Sequence, residues 1–351
     1  MDIIVSYVIP GIIVLSILVF VHELGHFLAA KAVGIRVERF SIGFPPRLIG
    51  KKIGDTDYCI SAIPIGGYVK MSGMIDESMD EGGIKGEPWE FMSKPVWARA
   101  LVIAAGPIFN VLLTVAVFTF SVWITGIAEV KGPIVGDTIP DMPAATIGLQ
   151  SGDRITQIND KPIEDWHDLQ STISQSAGKE ITVTWNREGE TMSAEVTPVK
   201  DPINDVGQIG LFPQTETRSA GFIEGIGFGF KQTWYWTALI FKSLGKLITG
   251  ELETRENLAG PVRIVQMIGQ SAQGGASSII SITALLSLHL GLINLFPIPA
   301  LDGGHLLLLG TEAVIRRPLS QKLRMALQQI GMAMLLALML FVIINDVMQI
   351  F

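Results

Sequence analysis

Four long apolar stretches determine what this chain can fold into. They cover residues 3–28, 100–124, 277–297 and 326–350. A helix needs about 20 apolar residues to cross the hydrocarbon core of a bilayer, and each stretch is long enough. The chain is 48% hydrophobic and 17% charged, which is less charge than a soluble domain carries. We therefore predict an α-helical polytopic membrane protein with four transmembrane helices.

The first apolar stretch contains an H-E-x-x-H motif, His22-Glu23-Leu24-Gly25-His26. Residues four apart lie on one face of a helix, so His22 and His26 can hold one zinc ion. Glu23 would lie beside the metal as a general base toward water. Because ionisable groups inside a membrane span are costly, they usually mark functional sites. This favours a metal site over a structural pair of histidines.

The distribution of basic residues predicts the orientation of the first span. No Lys or Arg precedes it, and the region after it, residues 31–52, is basic. The positive-inside rule then places the N-terminus outside and residue 31 onward in the cytoplasm. The zinc pair would lie near the cytoplasmic end of the span. The N-terminus lacks a basic segment and a cleavage site, so we expect a retained span and not a removed signal peptide.

Residues 36–72 are typical of strands and turns, with β-branched and aromatic runs at 37–42 and 58–71. The segment 63–68 is too apolar to lie freely in water. It is either a re-entrant hairpin beside the zinc site or a cytoplasmic hairpin with a Gly66-Gly67 turn. The polar, Gly-rich residues 73–95 predict a flexible cytoplasmic loop.

Residues 127–212 predict an inserted α+β domain outside the membrane. Its stretch 143–159 resembles PDZ domains of bacterial proteases, which bind chain termini or extended peptides. His167 in this domain is expected to be a surface residue. The net charge of −7 argues against a nucleic-acid partner. The single cysteine, Cys59, excludes an intrachain disulfide.

Residues 213–276 predict an interfacial amphipathic helix followed by a loop. Between 220 and 249, five apolar residues fall on one helical stripe and four mostly basic residues on another, as in a helix at a membrane surface. If this helix crossed the membrane, the basic residues near 316–324 would lie outside, against the positive-inside rule. We therefore expect it to lie along the outer surface, with both chain termini outside. The two stripes are Phe230, Trp234, Phe241, Leu244 and Ile248, and Lys231, Tyr235, Lys242 and Lys246.

The H-E-x-x-H motif together with Asn294-x-x-Pro297-x-Pro299-x-x-Asp302-Gly303 resembles the site-2 protease family of intramembrane zinc metalloproteases. The resemblance covers essentially the whole chain. It implies one Zn²⁺ per chain with Asp302 as the third ligand, and Asn294 and Pro297 as contacts to the substrate backbone. It also implies a re-entrant β-hairpin near the active site, which makes four hairpin residues candidate substrate contacts: Ile65, Gly66, Gly67 and Tyr68.

Three other polar residues of the membrane parts are not expected to bind the metal or act in catalysis. Asn110 is expected to hold helices together. His289 is expected to make a polar contact inside the bundle, and His305 either to support the metal ligands or to be structural. The sequence departs from the family pattern in one respect. Proteobacterial members usually carry two tandem PDZ domains, whereas residues 127–212 have room for one. A natural single-PDZ member and a shortened chain both fit.

The resemblance implies cleavage of the transmembrane helices of single-pass membrane proteins. Substrates would be of the anti-sigma factor type, already trimmed outside, or remnant signal peptides. The protein would lie in the bacterial inner membrane among its lipids, with the PDZ-like domain on the periplasmic side. Two alternatives remain: a metal-binding transporter or sensor with the same ligands, and a PDZ adaptor whose membrane part is only an anchor. The adaptor leaves Glu23 unexplained.

Overall fold

A computed structural model describes residues 4–74, 85–252 and 259–350. The chain forms two compact units. The first contains Met1–Ser121, Gly225–Ala238 and Arg255–Phe351, and the second contains Val122–Glu224 and Leu239–Thr254.

The helices of the described residues begin with α1, Ile9–Ala32, which continues a π-helical turn, Ile4–Val8. Four of the described helices are long and apolar enough to span a membrane: Ile4–Ala32, Val96–Thr125, Ala276–Asn294 and Gln321–Met348. They coincide with the four predicted stretches. In chain order the remaining helices are α2 Val96–Thr125, α3 Pro143–Thr146, α4 Trp166–Ser174, α5 Phe222–Thr249, α6 Pro261–Gln273, α7 Ala276–Asn294, α8 Asp302–Ile315 and α9 Gln321–Ile350.

The spanning helices have apolar side chains on both their inner and outer faces. On α1, Ile9, Ile13 and Ile17 are exposed at a spacing of four, whereas Val14 and Leu18 are buried. Residues four apart form one stripe on a helix, so the exposed isoleucines make a continuous apolar face. Such a face is stable against lipid and not against water, which is the arrangement a multi-pass membrane protein requires.

Strands β1, Val37–Ile53, and β2, Thr56–Met71, form one antiparallel hairpin. Both strands bend, so the hairpin folds into four paired segments in the order 67–71, 37–42, 57–60 and 49–52. The hairpin turns at Gly54, which has a positive φ. The predicted alternative with a Gly66-Gly67 turn is wrong, because both residues lie inside β2. Gly66 has φ 124°, which an L side chain rarely adopts.

Two predicted loops contain ordered structure. The helix α6 lies in the loop predicted to follow the amphipathic helix within 213–276; Gly260 is its N-cap, Pro261 its first residue and Gly274 its C-cap. Asp346 of α9 accepts hydrogen bonds from the backbone N–H groups of Gly260 and Arg263 at the start of α6. The predicted flexible loop 73–95 contains a 3₁₀ turn, Phe91–Ser93, and Phe91 is buried. Residues 75–84 of that loop lie outside the described part of the chain.

The second unit contains an antiparallel sheet of order β10-β3-β4-β6-β7, with β5 paired to β4. Its core is apolar around Trp185 and Leu169, which are almost fully buried. Arg187 makes an ion pair with the buried Asp153 at 2.7 Å. The strands are β3 Ile127–Thr138, β4 Arg154–Ile158, β5 Lys161–Pro162, β6 Ile181–Arg187, β7 Glu190–Val196, β8 Val199–Lys200, β9 Gly207–Gln208 and β10 Leu211–Arg218.

Candidate active site

The two histidines of the H-E-x-x-H motif lie on the inner face of α1. Both are buried, at 8% exposure for His22 and 6% for His26. Their Nε2 atoms are 3.2 Å apart, and the ring planes are nearly perpendicular at 84°. Because α1 is continuous from Ile9 to Ala32, the helix spacing alone places both nitrogens at one point.

Asp302 reaches the histidines from the first turn of α8. Its Oδ2 atom lies 3.1 Å from Nε2 of His22 and 3.4 Å from Nε2 of His26. The loop before α8 folds back tightly onto that turn: a Cβ on Gly303 would overlap the carbonyl oxygen of Phe296. Glycine at position 303 therefore allows α8 to begin where the carboxylate of Asp302 reaches α1.

The three donors fit a zinc ion. Two atoms that each lie about 2.0–2.1 Å from a tetrahedral zinc are about 3.3 Å apart. The three separations here, 3.1, 3.2 and 3.4 Å, bracket that value. Oδ2 of Asp302 is buried and has no hydrogen-bond partner among the described residues, as a metal ligand would be without its metal. A second acidic group, Asp165, His167 and Asp168, is largely exposed, and Asp165 caps α4.

Glu23 lines the same cavity as the three donors. The cavity has a volume of about 490 Å³. A Cβ built on Gly67 would lie 3.7 Å from Cγ of Glu23, so β2 passes directly beside this carboxylate. The other lining residues are Arg39, Phe44, Pro45, Tyr68, Val69, Lys70, Met71, Met74, Ile103, Asn294, Ala300, Leu301, His305 and Gln328.

The predicted substrate contacts are only partly brought together. Tyr68 and Asn294 line the large cavity, whereas Pro297 lines a separate cavity of about 110 Å³. Gly66 lies beside the ring of Phe44, itself a lining residue. The side chain of Ile65 lies outside the described part of the chain.

Sequence reasoning missed several lining residues. Gln328 and His305 line both cavities. A glutamine inside an apolar stretch is a polar group in a membrane span, and that signal was available for Gln328. Nδ1 of His289, by contrast, lies 2.9 Å from the carbonyl oxygen of Leu285 on its own helix.

Helix α2 supplies a second layer around the histidines. Nδ1 of His26 lies 2.8 Å from the carbonyl oxygen of Val102. Nδ1 of His22 lies 3.2 Å from the side-chain amide of Asn110. Pro107 lies inside α2 and lacks the N–H that would bond the carbonyl of Ile103.

A buried His-His-Asp cluster with a glutamate in the same cavity is the set of residues that a zinc metalloprotease uses, and it lies here in a protein with four long apolar helices. Comparison with known proteins specifies the class further. The model of peptidase family M50 matches residues 10–338, and the chain belongs to this family.

Curated relatives align with the chain from end to end. A protein of Agrobacterium fabrum named as a zinc metalloprotease is 37% identical, over 97% of this chain and 96% of its own. A protein of Clostridium perfringens, also named as a zinc metalloprotease, is 33% identical over 97% of this chain and 98% of its own. A third protein with this name, from Campylobacter jejuni, is 35% identical over 97% of this chain and 92% of its own. These relatives are therefore close to this chain in length.

Two solved structures of PDZ domains match part of the chain. The PDZ domain of an SdrC-like protein from Listeria monocytogenes is 20% identical and covers 24% of this chain and 90% of that domain, with a TM-score of 0.22. The corresponding domain from Listeria innocua gives the same identity and TM-score.

Proposed function

We propose that this protein cleaves the transmembrane helices of single-pass membrane proteins inside the bilayer. His22, His26 and Asp302 would hold the zinc ion, and Glu23 would act as the general base. The convergence of the three donor atoms at 3.1–3.4 Å, with Glu23 in the same cavity, carries the proposal. All four residues lie on helices that span or adjoin the apolar part of the protein.

The reaction is peptide hydrolysis. A zinc ion at this site supplies an acidified water and polarises the scissile carbonyl. The carboxylate of Glu23 takes the proton of the attacking water and returns a proton to the leaving amine nitrogen. Asn294 lines the cavity and offers an amide group to the substrate backbone.

A transmembrane substrate must unwind before it is cut, because a helix hides its carbonyl groups in i→i−4 hydrogen bonds. Segment 67–71 of β2 supports strand addition. It pairs with 37–42 on one side, and among the described residues no strand pairs with its other side. Tyr68 to Met71 line the cavity. An unwound segment would add to this edge as a further strand and pass Glu23. A re-entrant position of the hairpin at membrane depth belongs to this proposal.

The substrate class and the topology follow the family resemblance. We propose anti-sigma factor type proteins and remnant signal peptides as substrates, in the inner membrane and among its lipids. The sheet unit would act as a PDZ-like domain on the periplasmic side and bind a peptide or chain terminus. Helix α5 would lie along the outer surface; Phe230, Trp234, Phe241 and Ile248 of its predicted apolar stripe are exposed.

The test is co-expression with a tagged single-pass substrate, together with zinc analysis of the purified protein. Glu23→Gln should retain zinc and lower the cleavage rate at least about 100-fold, the usual effect of removing a general base. Glu38→Gln, which changes an exposed glutamate of β1, should behave as the parent protein. Cleavage by Glu23→Gln near the parental rate would refute the assignment. Loss of cleavage at full zinc content also separates a protease from a metal transporter, which needs no base.

A further inference from the structure

Asn110 is buried at the contact between α2, α1 and α7, at 0% exposure. Its backbone carbonyl oxygen accepts hydrogen bonds from the hydroxyl groups of Thr114 and Ser287, at 3.0 and 2.8 Å. Thr114 also donates to the carbonyl of Ala284 on α7. Gly291 of α7 brings that helix close, since a Cβ there would lie 3.2 Å from Cβ of Asn110. These contacts fix the position of the Asn110 side chain.

The amide of Asn110 faces Nδ1 of His22, and its orientation decides which nitrogen of His22 carries the proton. As built, Nδ2 of Asn110 lies 3.2 Å from Nδ1 of His22, while Oδ1 of Asn110 is buried without a hydrogen-bond partner among the described residues. The two ends of an amide differ only by a 180° rotation. Rotation gives the orphaned oxygen a donor, the Nδ1–H of His22.

The rotated arrangement is also the one that a metal ligand needs. A neutral imidazole carries one proton, so a lone pair on Nε2 requires the proton on Nδ1. His26 already has this arrangement, because a carbonyl oxygen can only accept and Val102 O lies 2.8 Å from its Nδ1. An acceptor opposite Nδ1 of His22 would make the two ligands equivalent.

We propose that Asn110 is a positioning residue for the metal site. Its side-chain oxygen accepts the Nδ1–H of His22 and directs the Nε2 lone pair to the point shared with His26 and Asp302. Helix α2 thus orients both histidines, one through a backbone carbonyl and one through a side chain. This inference rests on the proposed zinc site. Loss of an outer hydrogen bond to a ligating histidine typically costs 10–100-fold in metal affinity.

The experiment measures zinc affinity by chelator competition in detergent and the visible spectrum of the cobalt-substituted protein. Asn110→Leu removes the acceptor and should weaken zinc binding about 10–100-fold, with an altered cobalt spectrum. Asn110→Asp keeps an acceptor that cannot donate, and should bind zinc with the parental affinity. Thr233→Val is the matched control. It removes a buried threonine hydroxyl of α5, whose hydrogen bond runs to the carbonyl of Gly229 on the same helix, and should leave both readouts unchanged.

Three outcomes would overturn the proposal: parental affinity and spectrum in Asn110→Leu, weakening by Asn110→Asp as large as by Asn110→Leu, or equal weakening by Thr233→Val. If Asn110→Leu does not fold, the zinc affinity of Asn110→Asp still tests the proposal. A carboxylate can accept the Nδ1–H of His22 but cannot donate to it, so a loss of zinc affinity in Asn110→Asp would show that the amide donates. His22→Ala provides the reference. If it does not lower zinc affinity, the zinc site itself is wrong, and that failure is distinct from a failure of Asn110.

Discussion

A buried charge cluster allows a stability prediction with a defined size. Glu312 of α8 makes an ion pair with Arg99 of α2 at 3.0 Å and another with Arg324 of α9. The backbone N–H of Leu319 donates to the same carboxylate at 2.6 Å. The side chains of the three charged residues are only 1–9% exposed. One carboxylate therefore joins three helices.

Glu312→Gln keeps the shape of the side chain and removes its charge. Two buried guanidinium groups then lose their counter-ion, and breaking a buried pair in this way costs about 3–5 kcal/mol. Arg99→Met leaves the pair of Glu312 with Arg324 in place and should cost less. The free energy of unfolding would be measured by SDS titration in mixed micelles. A loss below about 1 kcal/mol for Glu312→Gln, the size typical of exposed pairs, would refute the claim that the cluster is shielded from water.

Three further predictions concern topology, the sheet domain and pH. Single cysteines at Gly250 and Arg317, in a Cys59→Ser background, should be labelled by an impermeant reagent on intact spheroplasts at 250 but not at 317; the reverse pattern would contradict the proposed topology. Replacement of 127–212 by a short linker should change which substrates are cut while a short one is still cleaved, and loss of all cleavage in a folded, zinc-loaded variant would make the domain part of the catalytic structure. Burial alone would raise the pKa of Asp153, but the hydrogen bond with Arg187, the hydrogen bond from the backbone N–H of Gln150 and the positive charge of Arg187 together outweigh burial and hold the pKa below the ordinary value. Its stabilising contribution is therefore present above the ordinary pKa of about 3.9 and lost as the pH falls through the lower folded value. Hydrogen-exchange protection in β6, measured relative to the intrinsic rate at each pH, should fall in that acidic range, and Arg187→Gln, which should be less protected already at neutral pH, should show a smaller pH effect.

The parts of the site that depend on local spacing were predictable from sequence. A four-residue interval on a helix suffices to bring His22 and His26 together. Asp302 is far along the chain, and its contact with α1 depends on how α7 and α8 return to the first span. The spacing of apolar residues along the chain does not predict that return. Asp302 was therefore predicted as a zinc ligand only from the family resemblance.

Other misses share a physical cause: the same residue serves different roles in different surroundings. Gly260-Pro261 is a breaker in isolation and a helix start when Asp346 caps it. Gly66-Gly67 favours a turn locally but lies in a strand beside Glu23. Asn110 fits the expected role in helix contact through its backbone, yet its side chain faces His22, a neighbour 88 positions away that sequence alone does not reveal.

The two faces of α1 have a consequence for how substrates arrive. Ile9, Ile13 and Ile17 point outward and His22 and His26 point inward on one helix, so the metal site is separated from the surrounding lipid by about one helix diameter, roughly 10 Å. A protein chain confined to the bilayer thus searches for this site in two dimensions. The encounter rate then depends on the number of substrate molecules per membrane area, and not on their concentration per cell volume.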